Sequence, residues 1–307
     1  MSGVITTGNI SRLLQEGVKN VFGQAYNQHS TQWDKLFDTE DSRKAFEQDQ
    51  QFEGFGLAPV KLEGAGVAYD SQQEGFSPKF QNLTYAKGFI VTKEAMADNL
   101  YHLFSKRAKA LAFSMQQTKE NVAANVYNRG FNSAFLMTGG DGVELFSTAH
   151  VNGPSNPTTF SNELATPAAL SEAALEDMLI QISEATDPRG LRIALSGQRL
   201  IVPPKLGFEA ERILKSVLQN DTGNNAINAV KSTGMLPQGY SVNNYLTSAT
   251  AWFVKTNAPD GLKCFKRQGV EFDQDMDFGT SNARFKADER YSFGWSDPRG
   301  AYGSAGV

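Results

Sequence analysis

Residues 92–130 run without an internal Gly or Pro until Gly130 closes the stretch, and this continuity constrains the chain more than any other feature. Apolar residues recur at Met96, Leu100, Leu103, Phe104, Leu111, Met115, Val122 and Val126, in steps of three, four or seven that keep them on one helical face. Thr92 is placed to cap the first turn, Glu94 suits its positive end, Arg129 suits the other end, and Gly130 can take the left-handed conformation that stops a helix. As one helix the stretch is a rod of about 55 Å. A rod that long crosses its own domain or lies along the back of a broad, flat one. The plainer alternative is a long core helix broken once near Gln116 and Gln117.

With 307 residues the chain can bury a substantial core, as one large or two medium domains. Its 40% hydrophobic and 20% charged content is that of a globular protein. A net charge of -4 gives no global reason to bind nucleic acid, so any DNA contact is expected to be weak or local. The single cysteine, Cys264, excludes an intrachain disulfide framework and a multi-cysteine metal site, and reads as a buried thiol. No run of 18 apolar residues occurs, so no membrane span is expected. The first residues lack a basic head and an apolar signal core, which predicts retention in the cytoplasm where the chain is made.

Around the long stretch the chain changes texture several times. Residues 10–28 carry Leu13, Leu14, Val18, Val21, Phe22 and Tyr26 at helical spacing. Residues 32–51 are polar with isolated aromatics, too thin to form a core, and read as an arm that docks against something else. Glycines punctuate 54–92, where 60–63 and 83–91 read as the strands of a hairpin with a wide tip at 70–75. Such a hairpin is marginal alone and needs a surface to lie on, which neighbouring subunits could supply. Further on, 138–142 is a turn and 150–157 a loop. A helix is predicted over 171–185 with Ala174, Leu175, Met178, Leu179 and Ile182 on one face. Strands are predicted at 191–195 and 200–204, a helix from 205 to 218 behind Pro204, and a mobile loop with a short helix over 219–234. Strands resume at 240–242, 251–254 and 264–267, and 270–295 alternates over long spans.

No constellation in the chain carries catalysis. His29, His102 and His150 lack the spacing of a metal site. Neither a G-x-S-x-G elbow nor a P-loop is present. Gly54, Gly56 and Pro59 begin a dinucleotide fingerprint that fails at the proline. Asp273, Asp275 and Asp277 suggest calcium, yet Phe278 stands where an EF-hand needs glycine and Arg284 where it needs glutamate; the acids suit the wet face of a strand. Lys263, Lys266, Arg267, Arg284, Lys286 and Arg290 make the last third locally basic, with acids interspersed.

Two segments carry a family resemblance. Residues 141–150, from Asp141-Gly142 through Leu145-Phe146 to His150, are similar to the D-G-x-x-L-F-x-x-x-H segment of Mu-type head subunits, and residues 291–302, from Tyr291 through Gly294-Trp295-Ser296-Asp297-Pro298-Arg299-Gly300 to Tyr302, are similar to the close of many phage capsid proteins. With the order of parts, the chain resembles the major capsid proteins of tailed bacteriophages, whose fold is named after phage HK97. The resemblance implies an α+β, HK97-like capsid fold: an N-terminal arm (1–53), an extended β-hairpin or E-loop (54–91), a long spine helix with the peripheral domain (92–203), an axial domain (204–261), and return strands with the C-terminal tail (262–307).

The implied function is a structural protein, without enzymatic activity or cofactor, that self-assembles as hexamers and pentamers into an icosahedral head around double-stranded DNA. Assembly would take place in the host bacterial cytoplasm and end in the virion. An encapsulin-like nanocompartment shell is the alternative, and a calcium-dependent surface protein using Asp273, Asp275 and Asp277 a further rival. Expected partners are copies of the chain, a portal protein, scaffolding and decoration proteins, and the packaged DNA through weak non-specific contact, with no membrane. Because no charged helical extension precedes the arm, the resemblance implies a separate scaffolding protein or a removed prodomain. Relatives that crosslink through Lys and Asn offer no pair to carry over. The aromatics Trp33, Phe37, Phe46, Phe52, Tyr69, Phe76 and Phe80 are the expected inter-subunit contacts, since obligate interfaces are rich in such groups.

Overall fold

The computed structural model describes residues 7–97, 101–154, 156–218 and 226–307. In chain order the helices are α1 (Thr7–Gln28), α2 (Lys93–Ala97), α3 (Tyr101–Asn128), α4 (Glu172–Ser183), α5 (Gly207–Lys215) and α6 (Ala229–Thr233). The strands are β1 (Asp38–Asp41), β2 (Phe46–Gln48), β3 (Lys79–Gln81), β4 (Leu83–Val91), β5 (His150–Gly153), β6 (Asn156–Phe160), β7 (Gly197–Val202), β8 (Tyr240–Val242), β9 (Trp252–Thr256), β10 (Leu262–Met276), β11 (Ala283–Trp295) and β12 (Ala301–Ser304).

The uninterrupted stretch yields α3, 28 residues and about 42 Å long. It runs straight through Gln116, whose amide donates to the Tyr26 carbonyl of α1 at 3.0 Å, so the suspected break is a docking point. Thr92 caps α2, its hydroxyl accepting from Ala95 N–H; the join at 98–100 lies outside the described residues. Gly130 does not adopt a positive φ. It is small because a Cβ there would lie 2.5 Å from the Phe146 ring, so close approach, and not a left-handed cap, explains it.

One sheet has the order β1-β10-β11-β4. Strict alternation along β11 sends Phe285, Ala287, Glu289 and Tyr291 inward and Arg284 and Lys286 outward, as a strand buried on one face requires. On that inner face lie α1 and α3, contributing Val18, Phe22, Phe104, Ala108, Leu111 and Met115. Aromatic pairs Phe22–Phe272, Phe89–Phe285 and Tyr85–Tyr291 stack with centroids 4.6–4.8 Å apart. Such pairs contribute about 0.5–1.5 kcal/mol beyond their buried area.

A second sheet has the order β12-β9-β7-β8. Leu200, Val202, Trp252, Val254 and Tyr302 face α4 and α5. Ile201, Phe253 and Ala301 point the other way, into a core shared with Tyr127 of α3, Phe146, Leu262 and Trp295. Burial on both faces explains why the end of β7, Leu200, Ile201 and Val202, is a continuous apolar run rather than an alternating one. On α4, Ser171 caps the helix through Ala174 N–H, and Ala174, Leu175, Met178, Leu179 and Ile182 are buried as the spacing requires.

Several expectations are corrected. The boundary expected at 203/204 passes between strands β7 and β9 of one sheet and one core. The strand expected at 191–195 is absent, leaving a lone bridge between Thr186 and Arg192, and the expected loop 150–157 contains the β5–β6 hairpin. Of the mobile loop expected over 219–234, residues 219–225 lie outside the described residues, and the short helix is α6.

Candidate assembly surfaces

The glycine-punctuated segment does not pair as expected, because 60–63 forms no strand and β4 is hydrogen-bonded to β11 instead. Its hairpin begins earlier, in the arm. β2 pairs antiparallel with β3, and the ladder continues through Asp49 N–H to Pro78 O, Gln51 N–H to Phe76 O and Glu53 N–H to Gln73 O. Above this base, residues 54–72 form an extended loop turned by Ala65 N–H bonding Leu62 O. Leu57, Val60, Leu62, Val67 and Tyr69 are exposed along it, Val60 at 90% and Tyr69 at 96%. With Phe55, six large apolar groups on one projecting segment are the signature of a surface that another protein covers.

The neck of the loop is clasped. Oδ2 of Asp70 accepts from the backbone of Gly56 at 2.9 Å and from Nη1 of Arg189 at 2.6 Å, while Nη2 of Arg189 donates to Ser71 O at 2.6 Å. Arg189 sits on the turn fixed by Asp187, whose Oδ1 accepts from the N–H groups of Arg189 and Leu191. The Gly56 N–H and then the guanidinium hold the Asp70 carboxyl below its ordinary value. One side chain thereby ties both limbs of the loop to the body.

The expected contact aromatics divide by burial. Phe46, Phe52 and Tyr69 are exposed, Phe46 carrying the Lys79 ammonium over its ring at 4.1 Å, and Phe76 is half-buried. Trp33 is half-buried and packs edge-on to Phe293. Phe37 and Phe80, at 2% and 1% exposure, are committed to the chain's own interior, Phe37 against Tyr127 and Phe293 and Phe80 against Phe265. These two have almost no surface left for a neighbour. An isolated aromatic in a polar stretch does not reveal whether its partner is distant in the same chain or in another.

The arm itself is fastened to its own body. Leu36 and Phe37 enter the shared core and β1 pairs parallel with β10. Lys263, buried on β10, holds Asp49 and Asp260 at 2.7 Å and Glu40 at 3.1 Å. Burial pulls the ammonium's pKa down, but hydrogen bonds to Asp260, Asp49 and Glu40 outweigh it and raise the pKa. The sequence marked this lysine only as one of a locally basic group and not as a junction, since its three partners lie on separate segments.

The two segments that carried the resemblance meet. His150, fully buried, places Nδ1 2.5 Å from Asp141 Oδ2 and Nε2 3.1 Å from Leu145 O. Asn162, also fully buried, donates to Leu145 O, Pro298 O and Ala301 O and accepts from Ser147 N–H. Arg299 lies over the Phe160 ring at 3.8 Å and reaches Asn152 Oδ1. The histidine is therefore a buried structural group. Asn162, which sequence reasoning missed, stitches the two segments together.

Asp273 and Asp277 are ion-paired with Lys286 and Arg284 of β11, and Asp275 stands opposite Arg284 in the register. No group of three or more His, Cys, Asp or Glu among the described residues is arranged for a metal ion. Cys264 is buried, which pushes its thiol up to about 12. No helix among the described residues is long and apolar enough to cross a membrane.

Residues 78–304 match the family model described as phage capsid protein. A search of curated proteins found no match. Among solved structures, the fold is similar to the procapsid of bacteriophage JBD30, with 15% identity, 98% of this chain and 76% of that one covered, and a TM-score of 0.50. It is also similar to the capsid of Myoviridae phage XM1, with 9% identity, 91% and 94% coverage and a TM-score of 0.52. The virus-like particle from Pyrococcus furiosus shares 13% identity, 94% and 98% coverage and a TM-score of 0.50. A family match over most of the chain, on an α+β fold with a projecting loop and a long helix, establishes that the chain belongs to the phage capsid protein family as a shell-forming major capsid protein of HK97-like fold.

Proposed function

We propose that this protein builds its shell by laying the loop 54–72 of each subunit on an adjacent copy, in hexamers and pentamers that close an icosahedral head. The observation that carries this reading is the exposed row Leu57, Val60, Leu62, Val67 and Tyr69 on a loop whose base is fixed. A repeated chain that closes into rings needs a projection on each copy that fits a different surface of the next, and burying the row on a neighbour returns about 1.5–3 kcal/mol for each large side chain.

Of the expected contacts, Trp33, Phe46, Phe52, Tyr69 and Phe76 remain available to it. The role is structural, with no reaction assigned, and the product is the virion capsid, assembled in the host bacterial cytoplasm with a portal, scaffolding and decoration proteins as partners. The units 54–81 and the two sheet cores act as E-loop, peripheral and axial parts. An encapsulin-like compartment is separated from this reading by the genes alongside: terminase and portal, or a cargo enzyme.

Negative-stain microscopy of the chain expressed alone tests the reading. Closed particles are expected, and replacing Val60, Leu62 and Tyr69 by Ser should leave a folded subunit that forms none. Monomers at high concentration from the unmodified chain, or unchanged particles from the variant, would overturn it.

A further inference from the structure

Although the chain is net acidic, residues 87–119 carry Lys87, Lys93, Lys106, Arg107, Lys109 and Lys119 against only Glu94 and Asp98. Lys119 is withdrawn from the surface, buried against Glu289 at 3.3 Å. The other five are exposed, and none has an ion-pair partner among the described residues, whereas Arg284 and Lys286 on β11 are each paired with acids. On α3 the buried positions are Phe104, Ala108, Leu111, Ala112 and Met115, so Lys106, Arg107 and Lys109 lie on the arc turned away from the sheet.

The edge strand β4 runs beside this arc. Lys87 donates to Ser114 Oγ at 3.0 Å and Arg107 to Ile90 O at 3.4 Å, which places Lys87 and Arg107 along one seam. A cluster of like charges with no ion-pair partner among the described residues repels itself. It is tolerated where a polyanion supplies the counter-charge.

We infer that the exposed arc of α3, with the adjoining edge of β4, is the face this protein turns toward packaged double-stranded DNA, with Lys87, Lys93, Lys106, Arg107 and Lys109 contacting phosphates without reading sequence. The inference rests on the shell reading above. A handful of phosphate contacts gives weak, salt-sensitive binding, which suits a genome that must slide during packaging and leave on release.

The test is fluorescence anisotropy of dissociated full-length subunits titrated with two short duplexes of unrelated sequence, between 50 and 200 mM salt. Five phosphate contacts predict a slope of log K against log salt of about -4.5, equal for both duplexes. The variant Lys106→Gln/Arg107→Gln/Lys109→Gln should reduce the slope to about -1.8, and the opposite-face control Arg284→Gln/Lys286→Gln should leave it unchanged. A triple variant with the parental slope, or a control that falls as far, would overturn the inference. So would a triple variant that aggregates with its slope intact, since the lysines would then only protect a sheet edge. Particles by microscopy with no salt-dependent duplex binding would reject this face and spare the shell; duplex binding without particles would do the reverse.

Discussion

Asp141 holds the ring of His150 at 2.5 Å, with both side chains withdrawn from solvent. The opposite ring nitrogen meets the Leu145 carbonyl at 3.1 Å. The pair fixes a corner from which Leu145 and Phe146 enter the shared core. His150→Ala leaves the Asp141 carboxylate buried and unpaired and is expected to cost about 3 kcal/mol, read as a lower urea midpoint of the dissociated subunit. A loss below about 0.5 kcal/mol would show that the corner stands on its apolar contacts alone.

Arg189 aims the loop without being part of it. Because Asp70 is well exposed, Arg189→Ala should change global stability by no more than about 0.5 kcal/mol. Cleavage of the loop at Lys61 by trypsin should nevertheless accelerate about three- to fivefold as the neck opens. Arg189→Lys should restore only part of the protection, since an ammonium cannot span Asp70 and the Ser71 carbonyl as a planar fork does. Equal cleavage rates in all three proteins would refute the clasp.

Lys263 joins the arm, the loop base and the turn before β10. Lys263→Met strands three carboxylates, of which Glu40 and Asp260 can relax into water, and the expected cost is about 3 kcal/mol. Its raised pKa sets the pH window: the stabilisation is complete below the ordinary lysine value of 10.5 and is lost only as pH rises beyond it. Chemical denaturation at pH 7 and above pH 10.5 checks both parts, and a variant as stable as the parent at pH 7 would contradict the first.

Glu120 predicts the opposite response to charge removal. Burial raises its pKa from the ordinary 4.5 despite hydrogen bonds from the Gln32 and Trp33 backbone. The folded state therefore favours the protonated acid: relative to a neutral side chain, the wild type gains stability as pH falls through the raised value and the gain is complete below 4.5. Glu120→Gln keeps an acceptor for the Gln32 N–H, which bonds Oε1 at 2.7 Å. It should melt above the wild type at pH 7, with the difference closing toward pH 4. A variant that melts lower at pH 7 would mean that attraction to Lys119 dominates.

Much of the fold was legible because local periodicity reports local structure. The buried face of α4, the alternation of β10 and β11, and the helix through Leu111, Met115 and Val126 all repeat at the period of their element. The family resemblance was legible from 141–150 and 291–302, whose glycines and aromatics mark close approaches such as Gly130 against Phe146.

What the sequence by itself determined, then, is where the strongly periodic helices and strands lie and which of their faces are apolar, since both follow from side-chain spacing along the chain. Only the tertiary structure decided that the arm is held by its own body, that the hairpin base starts at Phe46 and not at Val60, that Phe37 and Phe80 are spent internally, and that Asn162 and Lys263 are junctions. Those outcomes depend on groups separated by tens to hundreds of residues. A hydrogen bond or ion pair between them leaves no periodic trace, because its geometry exists only once the chain has folded.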